Sequence, residues 1–214
     1  MKHGINTLAP ALLPNNGAVD LALAGPNVGS NLGLIVQFSG TVGAAVEAAK
    51  EGIPAIAFSG SSGSPTPWNT PSVPAYSSLY AQLAVLVTDA LVADGSTPFL
   101  PPDTWLNVNF PAATANTACS SVDDYKFVLS RINNRTPFLS DDDVQVCGRE
   151  TLPTEASVVD TPGCFVSVSV GDAGDKTTAG RRKQRIVLDR LEGFLSCLPA
   201  DADGDTSFLE TLFD

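Results

Sequence analysis

The first half of the chain alternates between apolar runs and helical patterns. Residues 19–25, VDLALAG, form a nearly continuous apolar run that ends at a glycine, which is typical of a buried parallel strand. The Ala-rich segment 40–51 predicts a helix, since Ser39 or Thr41 is available as the N-cap residue and Gly52 follows its last turn. The pattern therefore predicts a strand, a polar loop and a helix, in that order.

A second strand and a second helix follow. Residues 53–60, IPAIAFSG, are typical of a short buried strand, and residues 75–95 place apolar side chains at helical spacing. Strand, helix, strand and helix in succession are typical of a parallel crossover unit. We therefore predict an α/β fold with a parallel sheet.

The second half changes character, because shorter alternating patterns replace the continuous runs. Residues 105–111 alternate apolar side chains with Asn107 and Asn109, which predicts a strand. The segments 125–132 and 164–170 predict two more strands, the latter with clear alternation. We interpret these strands as a β extension or a hairpin.

A helix over about Arg182–Leu198 and an acidic tail complete the predicted elements. A chain of 214 residues is long enough to bury one sizeable core, so we predict a single domain over 1–214. Within it, residues 1–111 form the α/β core, and residues 112–214 form the β extension, the helix and the tail.

Charge and hydropathy restrict the partners of the chain. The formal net charge of −11 argues against a nucleic-acid polymer, because affinity for a phosphate backbone comes from many Lys and Arg side chains. The apolar runs are shorter than the roughly 18 to 20 residues that a membrane span needs, so we expect no membrane partner. The basic cluster at 181–185 predicts a solvated helix face.

The four cysteines all lie in the C-terminal half: Cys119, Cys147, Cys164 and Cys197. Their wide spacing, without a CxxC pair or histidine companions, fits two disulfides better than a metal site, and buried free thiols are the alternative. Disulfides imply an oxidising compartment, and the sequon at 134–136 is consistent with secretion. The start of the chain, however, shows no signal-peptide pattern.

The sequence lacks the residues that several kinds of catalytic and metal centre require. His3 is the only histidine, which argues against a Ser-His-Asp triad and a histidine-based zinc centre. No segment matches the glycine-rich phosphate loop of nucleoside triphosphatases. The acidic segment 141–143 predicts a solvated loop. Residues 201–206 predict an acidic tail, since they depart from the calcium-loop pattern.

The segment 25–33 has a strict alternation of glycine and asparagine with single residues between them. It leads to a helix start at 39–41, where free N–H groups and the positive end of the helix dipole attract an anion such as phosphate. Asn27 and Asn31 offer amide oxygens suited to a hard cation such as Mg²⁺. The residues alone leave open whether this segment binds a ligand or only connects two elements.

The chain resembles the SurE family of metal-dependent phosphatases, the 5′/3′-nucleotidase type. The resemblance rests on the blocks VDLALAGPNVGSNLG, SGTVGAAVEAAKEGIPAIAFSG and LNVNFP, and it covers roughly residues 1–111. It implies a Rossmann-like three-layer α/β sandwich with a C-terminal β-hairpin and helix used to form a homodimer, and hydrolysis of small phosphomonoesters or nucleotides. Later stretches, FVLSRIN, TLPTEASVV and SCLP, resemble the secreted fungal branch, which implies an extracellular location.

The resemblance also implies site residues. Asn27 matches the family's metal-binding asparagine, with Pro26 in place of the usual isoleucine. The residues that match those around the substrate phosphate are Asn31, Ser39, Gly40 and Thr41. The implied cofactor is a divalent ion, Mg²⁺ or Mn²⁺, which neutralises phosphate charge and activates water.

The family's Asn-Asp-Asp triplet and its serine ligand, which hold the metal ion, have no counterpart in this sequence. One asparagine cannot hold a divalent ion alone, so we expect no catalytic residue of the family and little or no phosphatase activity in this chain. We expect that the N-terminal strands and the signal peptide are missing, as in a fragment or a truncated gene model. The alternative is a short homologue that has lost catalysis and binds phosphate or a nucleotide, or forms dimers.

Overall fold

A mixed sheet lies at the centre of the computed structural model, which describes residues 1–113, 119–136 and 140–199. Its strands are β1 (Ala22–Val28), β2 (Ala55–Gly60), β3 (Thr104–Phe110), β4 (Lys126–Ser130) and β5 (Phe165–Asp172), in the order β1-β2-β3-β5-β4. Strands β1 and β2 run parallel, as predicted. Strand β3, which the sequence pattern groups with the β extension or hairpin, also runs parallel to β2, whereas β5 is antiparallel to β3 and parallel to β4. The acidic segment 201–206 lies outside the described residues.

The α-helices of the described ranges are α1 (Ala9–Leu12), α2 (Pro14–Gly17), α3 (Gly40–Lys50), α4 (Ala75–Val92), α5 (Glu155–Asp160) and α6 (Arg181–Arg190). Shorter helical turns span Gly4–Leu8, Gly33–Gln37 and Val122–Asp124. Helix α3 connects β1 to β2, and α4 connects β2 to β3. Each helix therefore forms the crossover of a parallel βαβ unit, which confirms the predicted α/β fold.

The sequence accounts for both ends of α3. The Ser39 hydroxyl accepts a hydrogen bond from the Val42 amide at 3.1 Å, so Ser39 rather than Thr41 is the N-cap residue. Gly52 follows the last turn with φ +82°, a left-handed conformation that glycine adopts readily. The predicted helix is confirmed at both ends.

The two faces of the sheet pack against different helices. Leu106, Val108 and Phe110 of β3 share a core with buried residues of α4 and α6. Trp105 belongs to a second cluster with alanines and valines of α3. Because successive side chains of a strand point to opposite faces, the odd-numbered residues of β3 lie on the α3 side. The result is the predicted three-layer sandwich of helices, sheet and helices.

Helix α4 is the one helix of the described ranges that is long and apolar enough to cross a membrane. Its buried residues belong to the core on its side of the sheet: Leu79, Tyr80, Leu83, Val87 and Leu91. The ring of Tyr80 stacks on that of Phe110, with 5.3 Å between the centroids. One face of α4 therefore contributes to the core of the α/β fold.

Strands β4 and β5 extend the main sheet. They pair in parallel, from Lys126 opposite Phe165 to Ser130 opposite Ser169, so they are not the two arms of a hairpin. The hairpin alternative is therefore wrong, whereas the two strands do form an extension, which continues the main sheet. The physical reason is that the alternating valines of β5 complete the core that α4 covers, which places β5 directly beside β3.

Strand β1 lies at the edge of the sheet and is less buried than its apolar sequence predicts. Ala22 and Ala24 are buried, whereas the side chain of Leu23 is 50% exposed. Among the described strands, β1 pairs only with β2, so its other edge carries no strand.

Helix α6 ends at Arg190, earlier than the predicted end at Leu198. Gly193 has φ +79°, and the Ser196 amide donates to the Phe127 carbonyl at 2.7 Å, so the chain leaves the helix and runs beside β4. The basic cluster forms surface ion pairs, as predicted for a solvated face, through Arg181, Lys183 and Arg185.

The cysteines form two disulfides. Cys119 pairs with Cys164 and Cys147 pairs with Cys197, and the two Cα–Cα distances are 5.4 and 5.7 Å. The prediction of two disulfides, in preference to free thiols or a metal site, is confirmed.

The acidic segment 141–143 only partly matches its predicted role as a solvated loop. Asp142 is exposed and forms a surface ion pair with Arg181. Asp143 is buried and forms an ion pair with the buried guanidinium of Arg131, so the prediction is wrong for this residue. A buried carboxylate needs a charged partner. The sequence did not predict this burial, because the partner, Arg131, is not adjacent to Asp143 in the chain.

Candidate functional site

A bulge in β1 sets the direction of the chain at the candidate site. Gly25 has φ +98°, and a Cβ atom there would overlap the Phe58 carbonyl of β2, so glycine is required. The register of β1 against β2 shifts between Ala24 and Asn27. The chain then reaches the carboxyl end of β1, the edge at which open α/β sheets bind ligands.

Asn27 and Asn31 meet in the loop 27–33, which we call the asparagine loop. Asn27 Oδ1 accepts hydrogen bonds from Asn31 Nδ2 at 2.9 Å and from the Ser59 hydroxyl at 3.1 Å. Asn31 Nδ2 also donates to Ser59 Oγ at 2.5 Å. Asn27 Nδ2 donates to the Gly29 carbonyl at 2.8 Å, which closes the loop on itself. The structure therefore brings these two predicted site residues together and adds Ser59 to them.

Two asparagines of β3 hold the backbone of Asn31. The Asn31 amide donates to Asn109 Oδ1 at 2.8 Å, and the Asn31 carbonyl accepts from Asn107 Nδ2 at 2.8 Å. Asn109 Nδ2 makes a longer contact, 3.2 Å, to the same carbonyl. Asn107 and Asn109 are fully buried. Since buried amides need partners, these polar positions of β3 serve the asparagine loop and do not face solvent.

A buried carboxyl group supports the same loop. Glu155, the first residue of α5, is fully buried, and its carboxyl oxygens accept from Asn107 Nδ2 at 2.6 Å and from the Gly33 amide at 3.2 Å. Burial raises the pKa of Glu155 from 4.5 to about 8, although hydrogen bonds from Asn107, Gly33 and Ser169 oppose the shift. The side chain is therefore mostly protonated at pH 7 and adds little negative charge behind the loop.

The start of α3 supplies free backbone donors. Ser39 accepts from the amides of Val42 and Gly43, through its hydroxyl and its carbonyl respectively. The amides of Gly40 and Thr41 have no acceptor among the described residues, as expected for the first turn of a helix. Gly40 is exposed, and a Cβ atom there would meet no described atom within 4 Å, so the start of the helix is open at this residue.

The topology places the start of α3 and the asparagine loop at the same edge of the sheet. In a parallel βαβ unit the helix runs antiparallel to its strands, so α3 begins where β1 ends. The predicted residues Ser39, Gly40 and Thr41 therefore lie on the same side of the molecule as Asn27 and Asn31. Together these groups can bind and orient an anion, but none of them is an activated nucleophile or a general base at neutral pH.

The donor set at this site does not fit a divalent metal ion by itself. The described part of the chain contains no group of three or more His, Cys, Asp or Glu side chains that could hold an ion. Asn27 Oδ1 already accepts from Asn31 and Ser59, which uses both lone-pair directions of that oxygen. Mg²⁺ demands octahedral oxygen coordination. No reaction step through a metal ion therefore follows from the residues described.

Four residues of the site were not predicted from the sequence: Ser59, Asn107, Asn109 and Glu155. The sequence does hint at a role for Asn107 and Asn109, since two asparagines alternate along an otherwise apolar strand. Almost nothing in the sequence indicates that Glu155 belongs to the site, because an acidic residue after Thr154 is an ordinary helix start, and Thr154 does cap α5. The partner of Glu155 in the loop, Gly33, is 122 residues away along the chain.

Comparisons with known proteins agree with this fold. The family model described as "Survival protein SurE" matches residues 1–136. An acid phosphatase of Yarrowia lipolytica is 31% identical over 179 residues, which are 73% of this chain and 50% of the relative. A 5′-nucleotidase SurE of Pelobacter propionicus is 43% identical over 96 residues, which are 45% of this chain and 34% of the relative.

A solved structure agrees at the level of the fold. The crystal structure of the SurE protein from Aquifex aeolicus superposes with a TM-score of 0.50 at 24% identity, over 80% of this chain and 64% of that chain. The chain spans half of the length of the acid phosphatase and about a third of the length of the nucleotidase.

Proposed function

Because the chain belongs to the SurE family, we propose that it carries the phosphate-binding part of a metal-dependent phosphomonoester hydrolase, of the acid phosphatase or 5′-nucleotidase type. The names of its relatives support this class of reaction. The observation that carries the proposal is the start of α3, where the amides of Gly40 and Thr41 lack acceptors in the described structure.

A phosphate group at the start of α3 would have several donors. Two backbone N–H groups and the helix dipole favour an anion there, and the hydroxyls of Ser39 and Thr41 add hydrogen-bond donors. Asn31 uses both hydrogens of its side-chain amide on Asn27 and Ser59, so its contribution is to shape the site. The substrate class that fits is a small phosphomonoester or nucleotide.

Hydrolysis also requires a divalent metal ion, and we propose that Asn27 becomes one of its ligands when its Oδ1 gives up the hydrogen bond from Asn31 or Ser59. Mg²⁺ or Mn²⁺, when bound, would neutralise phosphate charge and activate a water molecule. The described residues do not complete such a site, so we propose that this chain alone binds phosphate with little or no hydrolysis. A non-catalytic binding or dimerising homologue is the second candidate, and the absence of an acidic ligand cluster from the described residues favours it.

We propose that the protein is secreted and forms homodimers. The two disulfides and the exposed position of Asn134 in its sequon support an oxidising, extracellular environment. The proposed homodimer rests on the family resemblance. The net charge of −11 supports a small-molecule substrate over a nucleic-acid polymer.

Calorimetric titration with inorganic phosphate and with a nucleoside monophosphate, in the presence and absence of Mg²⁺, tests the proposal. The double variant Ser39→Gly/Thr41→Ala removes both hydroxyls, whereas glycine remains an acceptable N-cap residue. We expect this variant to bind phosphate roughly tenfold more weakly, because hydrogen bonds to a charged group are lost. Release of phosphate from p-nitrophenyl phosphate should be negligible for the parent chain.

The matched control is Ser78→Ala, which removes a hydroxyl from an exposed position of α4. This variant should bind phosphate like the parent chain. Equal affinity of the double variant and the parent chain would contradict the proposed site. Rapid turnover by the parent chain would contradict the proposal that the chain alone only binds.

A further inference from the structure

Glu155 is an unusual residue for the position that it occupies. It is fully buried, and its carboxyl oxygens meet the Asn107 side chain and the Gly33 amide. In the described part of the chain, no cationic side chain forms an ion pair with it. Burying an unpaired carboxylate is costly, and a neutral or apolar side chain would fill the space at lower cost. The acidic group therefore calls for an explanation other than packing.

The elements packed against Glu155 offer no charge that would stabilise its ionised form. Strand β5 contributes the hydroxyl of Ser169, and the asparagine loop with its following helical turn contains no titratable side chain. At the end of β4, the Arg131 carbonyl accepts from the Glu155 amide. The guanidinium of Arg131 binds the Asp143 carboxylate and the Asn133 carbonyl.

Glu155 fixes the asparagine loop at two points. One carboxyl oxygen accepts from the Gly33 amide directly. The other accepts from Asn107 Nδ2, and the same nitrogen donates to the Asn31 carbonyl at 2.8 Å. Any change in the charge or position of this carboxyl group is therefore transmitted to both residues of the loop.

We propose that Glu155 is a positioning residue for the asparagine loop, holding Gly33 directly and Asn31 through Asn107, and that its neutral form supports anion binding beside this loop. The inference rests on the proposed binding of phosphate beside this loop. When the Glu155 carboxyl group releases its proton to solvent, a negative charge remains behind the loop and repels a bound anion.

The raised pKa of Glu155, about 8, sets the range in which this effect operates. Below that pH the carboxyl group is neutral and anion affinity is high. Above it the carboxylate lowers the affinity. By linkage, a bound anion must raise the pKa of Glu155 in turn.

The first measurement follows the Gly33 amide and the Asn107 side-chain amide in two-dimensional ¹H–¹⁵N NMR spectra between about pH 6 and pH 9.5. We expect both signals of the parent chain to shift with one midpoint near pH 8. In Glu155→Gln they should not titrate, because the side chain no longer ionises. Glu150→Gln makes the same chemical change at an exposed position and should titrate like the parent.

The second measurement is the affinity for sulfate, which keeps its charge over this pH range. The parent chain should lose roughly tenfold in affinity between about pH 6.5 and pH 9.5, and Glu155→Gln should lose much less. Saturating sulfate should also raise the midpoint of the Gly33 titration.

The outcomes separate this inference from the proposed function. Amide signals that stay fixed across the range, or an identical pH profile of sulfate affinity in the parent and in Glu155→Gln, would overturn the positioning role. Absence of sulfate and phosphate binding at every pH would contradict the proposed function instead. In that case the titration of Gly33 still decides whether Glu155 positions the loop.

Discussion

Asn31 is the residue on which most contacts of the candidate site converge. Its amide binds Asn109, its carbonyl binds Asn107, and its side chain binds Asn27 and Ser59. A residue held at its backbone and its side chain keeps its geometry without a ligand. The asparagine loop is therefore preorganised, which lowers the entropic cost of binding an anion.

Glu155 makes the stability of the fold depend on pH. Its pKa is about 8 in the folded chain, against an ordinary value of 4.5, so the folded state binds more protons between these values. The free energy of unfolding should therefore fall as the pH rises from about 4.5 to about 8, by a few kcal/mol as an order of magnitude. Below this range the contribution of Glu155 is complete, and above it the contribution is lost.

Denaturant unfolding at pH 5 and pH 8, followed by the fluorescence of the buried Trp105, measures this decline. Glu155→Gln should show a smaller decline than the parent chain, because the variant has no carboxyl group to ionise. Glu150→Gln should decline like the parent. The same decline in Glu155→Gln and in the parent would show that another group is responsible.

At the scale of elements, α3 packs against the sheet and also presents its first turn to the candidate site. Its buried residues are Val42, Ala45, Val46, Ala48 and Ala49. Small side chains let the helix lie close to the alanines of β1 and β2. The position of its first turn therefore follows from packing along the whole helix.

The N-cap residue of α3, Ser39, should contribute to the stability of the fold. Ser39→Ala should lower the free energy of unfolding by about 1 kcal/mol, because the Val42 amide loses its acceptor. Thr41→Ala, inside the first turn, should change it by less than about 0.5 kcal/mol. Urea denaturation compares the two variants. An equal loss in both would contradict the role of Ser39 as the cap.

The sequence predicts elements whose ends and faces are encoded locally. Helix α3 is one, because Ser39 and Gly52 mark its ends within the segment itself. The pairing of β5 with β3 is not predicted, because the alternating valines of β5 indicate a strand but do not determine which strand pairs with it. The burial of Asp143 is missed for a similar reason, since it depends on Arg131 in another element.

At the scale of the whole molecule, the candidate site combines segments that are distant in the chain. The family match ends at residue 136, and it includes the asparagine loop and the start of α3 but not Glu155. Helix α5 packs against β5, β3 and β4, where Glu155 reaches Asn107. The sequence therefore predicts the anion-binding edge from local motifs, whereas the buried support for that edge emerges only from the fold.

The proposed function depends on the binding of a phosphate group at the start of α3. The most direct test is an NMR titration of the chain with inorganic phosphate that follows the backbone amide signals. We expect Gly40 and Thr41 to show the largest shifts and Ser78 of α4 to show none. Saturable binding that leaves Gly40 and Thr41 unchanged, with the largest shifts in the basic cluster at 181–185, would contradict it.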